Sequence, residues 1–408
     1  MSATTLASAP YPVLRRAALA TGGVFALSGA VSATWISRLP EVRTALSADP
    51  GSLGVALLGS AIGSVAAAPL TGRVAARFGS RIAVAGSVVV CMAGLVGLGL
   101  VHSVVALGLT LVVFGFGFGS WDVAMNIHGH GVEAAAGRAW MPRYHAVWSV
   151  GGFVAAGIGS AAAGAHLPVP AHFAIAAAVL GLGTFGLLTL FLRDGRHATP
   201  AESVRSGAEA SRPRHAGRIL TWPFVMMGVV MACATLVEGA ASDWLGIYFN
   251  DVRSASPAAS SAAFTVFAIA MAASRAAGTW TIGRLGRGRA VRFSALLAMA
   301  GVVVLLLSPV TAGAYVGAAM WGLGTAIVFP AVISAAGDTP GRSAEAIALV
   351  TPIGYTGFLV GPPLVGMIAR HTGLEHALWL IGALAAVMAL LAGVTRERRP
   401  GAPAPVEP

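Results

Sequence analysis

The sequence predicts an all-α membrane protein, with twelve transmembrane helices arranged as two six-helix bundles. Three observations carry this. Of 408 residues, 56% are hydrophobic and 10% charged, against ~25% charged in soluble domains, so an ordinary water-facing surface cannot be covered. The apolar residues fall into twelve runs, each near the ~20 helical residues that cross a ~30 Å hydrocarbon core. Features of the first half recur in order about 205–210 residues later. The formal net charge is +11 and all 26 bases are arginines. A nucleic-acid binder needs its bases on one folded face, whereas these sit in short clusters between apolar runs. Cys91 and Cys233 each lie inside an apolar run and make no disulfide framework, metal site or redox motif.

Taken in order, breaks at Arg, Pro, Gly and Asp clusters place the spans near 15–37, 53–72, 82–101, 104–126, 142–164 and 171–192, then 219–247, 257–279, 290–308, 313–335, 346–368 and 375–395. The first span, preceded by Arg15-Arg16 and ending Ala30-Val31-Ser32-Ala33, imitates a signal peptide. Eleven similar runs follow it and its features recur later, so it reads as a retained first helix. The one long hydrophilic connection, Arg193 to Arg218, carries Asp194, Glu202, Glu209 and six arginines and divides six spans from six. It reads as a flexible tether drawn to anionic lipid. The expected domains are a bundle over 1–192, a linker over 193–218, a bundle over 219–396 and a tail over 397–408. With these spans, 21 arginines fall on the side of the N-terminus and four (Arg38, Arg43, Arg253, Arg370) on the other, while Arg275 lies within the eighth span. Cytoplasmic loops are enriched in such residues. Both termini and the linker are therefore expected in the cytoplasm of a cell whose inner membrane the chain spans.

The repeat aligns Trp35 with Trp244, Val42-Arg43 with Val252-Arg253, and Arg77-Phe78-Gly79 with Arg284-Leu285-Gly286. It also aligns Gly117-Phe118-Gly119-Ser120 with Gly322-Leu323-Gly324-Thr325, and Gly152-Phe153 with Gly357-Phe358. Together these indicate parallel repeats, a solute site between bundles at mid-membrane, and transport by rocking one bundle on the other. The segment Gly72-Arg73-Val74-Ala75-Ala76-Arg77-Phe78-Gly79-Ser80-Arg81 resembles the cytoplasmic signature of the major facilitator superfamily, and the architecture of the whole chain resembles the major facilitator fold. Ala76 stands where that signature carries an Asp. In the family this acid pairs with arginines to latch the outward-facing state. The resemblance implies gating by Gly72, Arg77, Gly79, Arg81, Arg284 and Gly286, with a latch that is weaker here or supplied elsewhere. Trp35-Ile36-Ser37-Arg38-Leu39-Pro40, Asp122-Val123-Ala124-Met125-Asn126 and Arg143-Tyr144-His145-Ala146 look like the bacterial YbjJ-type branch of the family.

An ionised side chain at the centre of a membrane helix costs about 2.5–3.5 kcal/mol on insertion scales, so each acid within a span is a functional candidate. Asp122, in the fourth span, shares a face with Asn126 one turn on, and Gly115 and Gly119 on that stripe admit a close neighbour. It either pins helices by a hydrogen bond or handles solute or proton, and the second reading is preferred. Glu238 forms a stripe with Thr235 and Ser242, with the two readings evenly balanced, whereas Asp243 reads as a solvated helix-end charge. At an offset of 210 the first span sets Ser28 opposite Glu238 and Ser32 opposite Ser242. Trp148 with Ser149, and Thr351 with Tyr355, offer aromatic and hydroxyl contacts suited to a neutral, sugar-like solute, although such residues more often pack helices.

Other motifs are set aside. Gly181-Leu182-Gly183-Thr184-Phe185-Gly186 satisfies the dinucleotide pattern but lies inside an apolar run with no preceding strand. His128, His130 and Glu133 suggest a metal, yet read as solvated residues of a glycine-rich turn, so no metal or other cofactor is expected. Arg275 reads as snorkelling to the headgroups or pairing near Arg284. Without lysine there is no phosphate-binding Gly-Lys-Ser/Thr loop, so energy must come from a gradient. The expected function is secondary transport of a small solute, coupled to protons through Asp122 or Glu238, by a monomer that needs no partner beyond solute, protons and lipid. The alternatives are an efflux carrier for drugs or metabolites, or a membrane-embedded enzyme. An enzyme lacks a convergent nucleophile or metal cluster, and a receptor or scaffold lacks a large extramembrane domain. The resemblance also implies that drug-proton antiport is disfavoured, since the family's antiporter signature carries a Gly-Pro pair in the fifth helix, whereas here Gly361-Pro362-Pro363 lies in the eleventh.

Overall fold

A computed structural model describes residues 9–137, 140–192, 222–338 and 343–396, and all its regular elements are helical. Among the described residues, twelve helices are long and apolar enough to cross a membrane. They are α1 (Tyr11–Ala45), α2 (Pro50–Phe78), α3 (Ser80–Leu98), α4 (Val104–Ala136), α5 (Met141–Gly164) and α6 (Val169–Leu188), followed by α7 (Trp222–Asp251), α8 (Pro257–Leu285), α9 (Arg287–Leu307), α10 (Thr311–Gly337), α11 (Ser343–Thr372) and α12 (Leu374–Thr395). The linker 193–218 and the tail 397–408 lie outside the described residues.

Several helices outrun their expected spans. At 35 residues, α1 is about 50 Å long, and it takes Arg38, Glu41 and Arg43 into the helix. Likewise α4 runs ten residues past 126, so His128, His130 and Glu133 are helical rather than part of a glycine-rich turn. Apolar periodicity marks only the part of a helix in hydrocarbon, whereas the backbone ladder persists wherever polar side chains find partners. In contrast, α10 breaks between Thr325 and Val328. Pro330 has no N–H to give the carbonyl of Ala326, and its ring crowds that carbonyl.

Helix ends follow local chemistry. The Asp49 carboxylate caps α2, accepting from the N–H groups of Gly51 (3.0 Å) and Ser52 (3.1 Å). The Ser52 hydroxyl and these N–H groups, with Arg370 nearby, hold the Asp49 carboxyl below its usual range. A lowered folded-state pKa stabilises above the unfolded value of ~3.9, and the contribution is lost as pH falls through the folded value. Asp49→Ala is expected to cost about 1 kcal/mol, read as a fall in thermal unfolding temperature at pH 7 that vanishes in strong acid. Gly79 and Gly286 make the matching α2–α3 and α8–α9 turns with φ/ψ of 88°/155° and 75°/151°, a region that only glycine enters without strain.

The chain forms two compact units that cut across its halves. One holds α1–α6 with Ala240–Ala272 and Pro362–Ala377; the described part of the other is 222–239, Ala273–Gly361 and the chain from Leu378. Within the first, α1 packs on α5, α2 on α4 and α3 on α4, while within the second α9 packs on α10 and α12. Small residues bring these backbones together. Gly117 meets Cys91, and Gly94 meets Phe114; in the other unit Gly324 meets Ala298, and Gly301 meets Trp321. Every residue of the second set lies 207 positions after its counterpart. On α5 and α11, Gly151 abuts Ala26 and Gly357 abuts Ala232, both 206 apart. The contacts correct the register expected from sequence: Gly117 answers to Gly324 rather than Gly322, and Gly151 rather than Gly152 to Gly357. Glycine-rich runs align equally well in several registers, and only the glycine facing a neighbour is mechanically equivalent. At 206, Ser32 rather than Ser28 corresponds to Glu238.

Candidate functional site

In the second unit the site begins with how α7 is fixed. The Thr235 hydroxyl donates to the Gly354 carbonyl of α11 (2.6 Å), and Trp321 of α10 donates to the Val237 carbonyl (3.2 Å). These contacts spend Thr235 on packing, so it does not share an open stripe with Glu238. They set Glu238 toward α8, where Arg275 Nη2 lies 3.7 Å from Glu238 Oε1. That distance is an ion pair but exceeds a hydrogen bond, and the side chains retain 32% (Arg275) and 24% (Glu238) of their exposure. To the sequence reading of Arg275 the structure adds this acid partner. Arg275 sits ten residues inside the end of α8 and faces an acid on α7. Arg284 instead lies over the Trp280 ring at 5.5 Å. On α11 the Tyr355 ring is exposed and 6.2 Å from Phe329, whereas the Thr351 hydroxyl is buried without a hydrogen-bond partner among the described residues.

In the first unit, Gly115 and Gly119 of α4 press on Ser60 and Ser64 of α2, and the Ser64 hydroxyl donates to the Gly115 carbonyl (2.9 Å). With α4 so oriented, Asp122 is exposed. The Asn126 amide donates to the Asp122 carbonyl (2.8 Å) and to its carboxylate (3.3 Å), and no base pairs with Asp122 among the described residues. No bond from Asp122 to another helix is present there either, which weakens its reading as a helix pin. Ser32, Trp148 and Ser242 are half-buried, but Ser28 is fully enclosed and offers a solute no surface. Asp243 is half-buried, eight residues before the end of α7, not at a helix end as expected.

Several polar residues prove architectural. Arg38 is 1% exposed; it pairs with Glu41, donates to the Leu167 carbonyl (2.7 Å) and meets His172 Nδ1 (3.2 Å), tying α1 to the α5–α6 connection. Arg43 pairs with Asp251, joining the ends of α1 and α7. His128 is buried against the Ser80 hydroxyl (2.9 Å) and stacked on Phe191 at 3.8 Å. Glu133 accepts from the Trp140 (2.5 Å) and Met141 (2.7 Å) N–H groups at the start of α5. His128 and Glu133 are thus not solvated turn residues. Arg287 binds the Thr395 carbonyl (2.6 Å), the Ser334 hydroxyl (2.9 Å) and Asp338 (2.5 Å). Among the gating residues, Arg77 lies over Phe78 at 5.3 Å, Arg81 is exposed, and Gly72 has open space beside it. Gly181 and Gly183 sit within α6 against Met92 and Leu27.

Against the repeat, Asp122 corresponds to Phe329 at 207, and Glu238 and Arg275 correspond to Ser32 and Ala68. Packing positions recur while these three charges within the helices do not, which separates scaffold from function. Charged side chains kept at mid-span in apolar helices are the hallmark of a protein that conducts hydrophilic cargo through a bilayer, and the class so defined is a multi-pass membrane transporter. The chain belongs to the Major Facilitator Superfamily, whose family model matches residues 18–357. A relative in Yersinia pestis described as an uncharacterized MFS-type transporter is 32% identical over 379 residues, covering 91% of this chain and 94% of its own. Two solved structures share the fold: a mutant of the nucleoside transporter NupG (TM-score 0.72, 14% identity, 93% of this chain and 99% of its own) and a D-xylose-proton symporter (0.71, 15%, 94% and 97%). The chain is a transporter, not an enzyme.

Proposed function

We propose that the protein moves a small polar solute across the cytoplasmic membrane by alternating access, coupled to protons. The Glu238–Arg275 pair at 3.7 Å carries this reading. A carboxylate held by a guanidinium but not hydrogen-bonded to it can exchange that partner for a proton. One charge crossing 100 mV is worth about 2.3 kcal/mol, enough for roughly fifty-fold accumulation. Glu238 is assigned the proton, and Asp122 with Asn126 a polar contact to the solute, assisted by Ser32, Ser242, Trp148 and Tyr355. In reconstituted liposomes with an imposed pH gradient, pooled labelled sugars, organic acids and amino acids are expected to include one that accumulates. Asp122→Asn is expected to raise the KM for it several-fold while keeping the dependence on the gradient. Loss of accumulation with exchange intact would transfer the proton to Asp122.

The same reading takes the protein to act as a monomer of two six-helix bundles, 1–192 and 219–396, gated at Gly72, Arg77, Gly79, Arg81, Arg284 and Gly286, and to belong to the YbjJ-type branch. It puts both termini, the linker and the tail in the cytoplasm, supported by the 21-to-4 arginine split. Reporters fused after Pro200 and after Glu397 are expected to read cytoplasm, and those inserted at Pro168 and Pro309 the outside. An external reading after Pro200 would overturn this orientation.

A further inference from the structure

We infer that the solute carries a protonated primary amine, received by the Asp122 carboxylate with the Asn126 carbonyl oxygen and the Phe118 ring beside it. The inference rests on the transport reading above, in which Asp122 meets the solute, and specifies the substrate class. Asp122 lies within α4, 18 residues from its start and 14 from its end. Its side chain is exposed, yet not on the apolar exposed side of the helix. Val113, exposed like Leu109, precedes Asp122 by nine residues, about two and a half turns, so the two side chains lie on opposite sides of α4. The stripe that Asp122 shares with Gly115 and Gly119 is the one pressed on Ser60 and Ser64 of α2. An exposed acid on that side opens among the helices of the protein, not onto lipid, and an acid so placed marks the path of a cation.

The protein supplies no countercharge of its own. Among the described residues the ion pairs engage Glu41, Asp251, Glu238 and Asp338, and Asp122 is in none of them. On the helices packed against α4, the bases Arg73 and Arg77 of α2, Arg81 of α3 and Arg143 of α5 lie toward helix ends, and Arg38 and Arg43 of α1 are paired with other acids. The polar atoms left over select the ligand. Asn126 gives its amide N–H groups to the Asp122 carbonyl (2.8 Å) and to the carboxylate Oδ1 (3.3 Å). That leaves Asp122 Oδ2 and Asn126 Oδ1, both acceptors, one turn apart on the same face. Phe118, one turn before Asp122 and half-buried, is stacked on the buried Phe114 at 6.1 Å, which steadies its ring on the same side of the helix. Two acceptors and an aromatic ring suit a group that brings N–H donors and a positive charge. A neutral solute seated there strips water from the carboxylate and returns no charge, and an anion is repelled.

The test uses purified full-length protein at neutral pH and matched probes: cyclohexylamine, benzylamine and ethanolamine against cyclohexanol, benzyl alcohol and ethylene glycol, with benzyltrimethylammonium as a cation that has no N–H. At least one amine is expected to raise the unfolding temperature, whereas its hydroxyl mate and the quaternary ion are not. Asp122→Asn is expected to weaken binding of that amine at least several-fold, and Asp122→Glu to restore part of the loss. Phe118→Leu is expected to weaken it about two- to tenfold. Asp122 makes no bond to another helix among the described residues, so Asp122→Asn should fold; if it does not, Phe118→Leu and Asp122→Glu decide the matter. The inference is overturned if no amine stabilises the protein, if the hydroxyl mates or the quaternary ion bind as well as the amines, or if Asp122→Asn binds the amine as the wild type does. Binding lost in Glu238→Gln but kept in Asp122→Asn would place the cation at the other acid and overturn it too. In liposomes, a solute without a positive charge accumulated by the pH gradient would sink the inference and leave proton coupling standing. An amine bound through Asp122 but carried without protons would do the reverse.

Discussion

Glu238→Gln is expected to lower the stability of the protein by about 3 kcal/mol in lipid nanodiscs, since it removes the acid that faces Arg275. Arg275→Gln should cost a similar amount by leaving the acid unpaired. The double variant should recover most of the loss, because a neutral pair of similar volume removes both desolvation penalties. Thermal unfolding of the four proteins completes a double-mutant cycle. If the single losses simply add in the double variant, the two side chains do not interact, and the separation of 3.7 Å has no energetic meaning.

The second large effect concerns helix contact. A Cβ on Gly117 would fall 2.6 Å from the Cα of Cys91, and one on Gly324 would fall 2.7 Å from the Cα of Ala298. Backbone cannot step aside as a side-chain tip can, so Gly117→Leu and Gly324→Leu must each prise a helix pair apart. Overpacking of this kind costs ~3 kcal/mol, and the two losses should be alike because the contacts are repeats of one another. Gly186→Ala, where nothing lies within 4 Å, is the control and should be neutral or gain up to ~1 kcal/mol from helix propensity. Unfolding temperatures that leave Gly117→Leu with the control would mean that α3 and α4 do not meet there.

How far the sequence reached depended on the kind of signal. Hydrocarbon thickness acts on every span independently, so runs of apolar residues sufficed to place all twelve helices. Gly79 and Gly286 were legible because a turn in that backbone region admits little else. The ends of α1 and α4 were not, since polar residues such as Arg38 and His128 stay helical only through partners distant in sequence, among them His172 and Phe191. The same limit explains Arg275. One helix viewed alone offers an arginine only water or headgroups, and its acid partner is on another. Ser28 and Ser32 look alike in sequence; packing on α5 buries one and leaves the other half open. Asp122 stood out because its cost is intrinsic to depth and needs no neighbour to be noticed.

The charge pair in α7 and α8 also bears on how the chain is made. Glu238 emerges from the ribosome 37 residues before Arg275, and neither residue is welcome in lipid by itself. An α8 offered to the bilayer alone carries a full positive charge at mid-depth, whereas an α7–α8 hairpin enters already neutralised. Membrane integration of α8 is therefore expected to be easier beside its predecessor than alone. A nascent chain lacking Glu238 is expected to insert α8 less efficiently, a defect that would precede any question of transport.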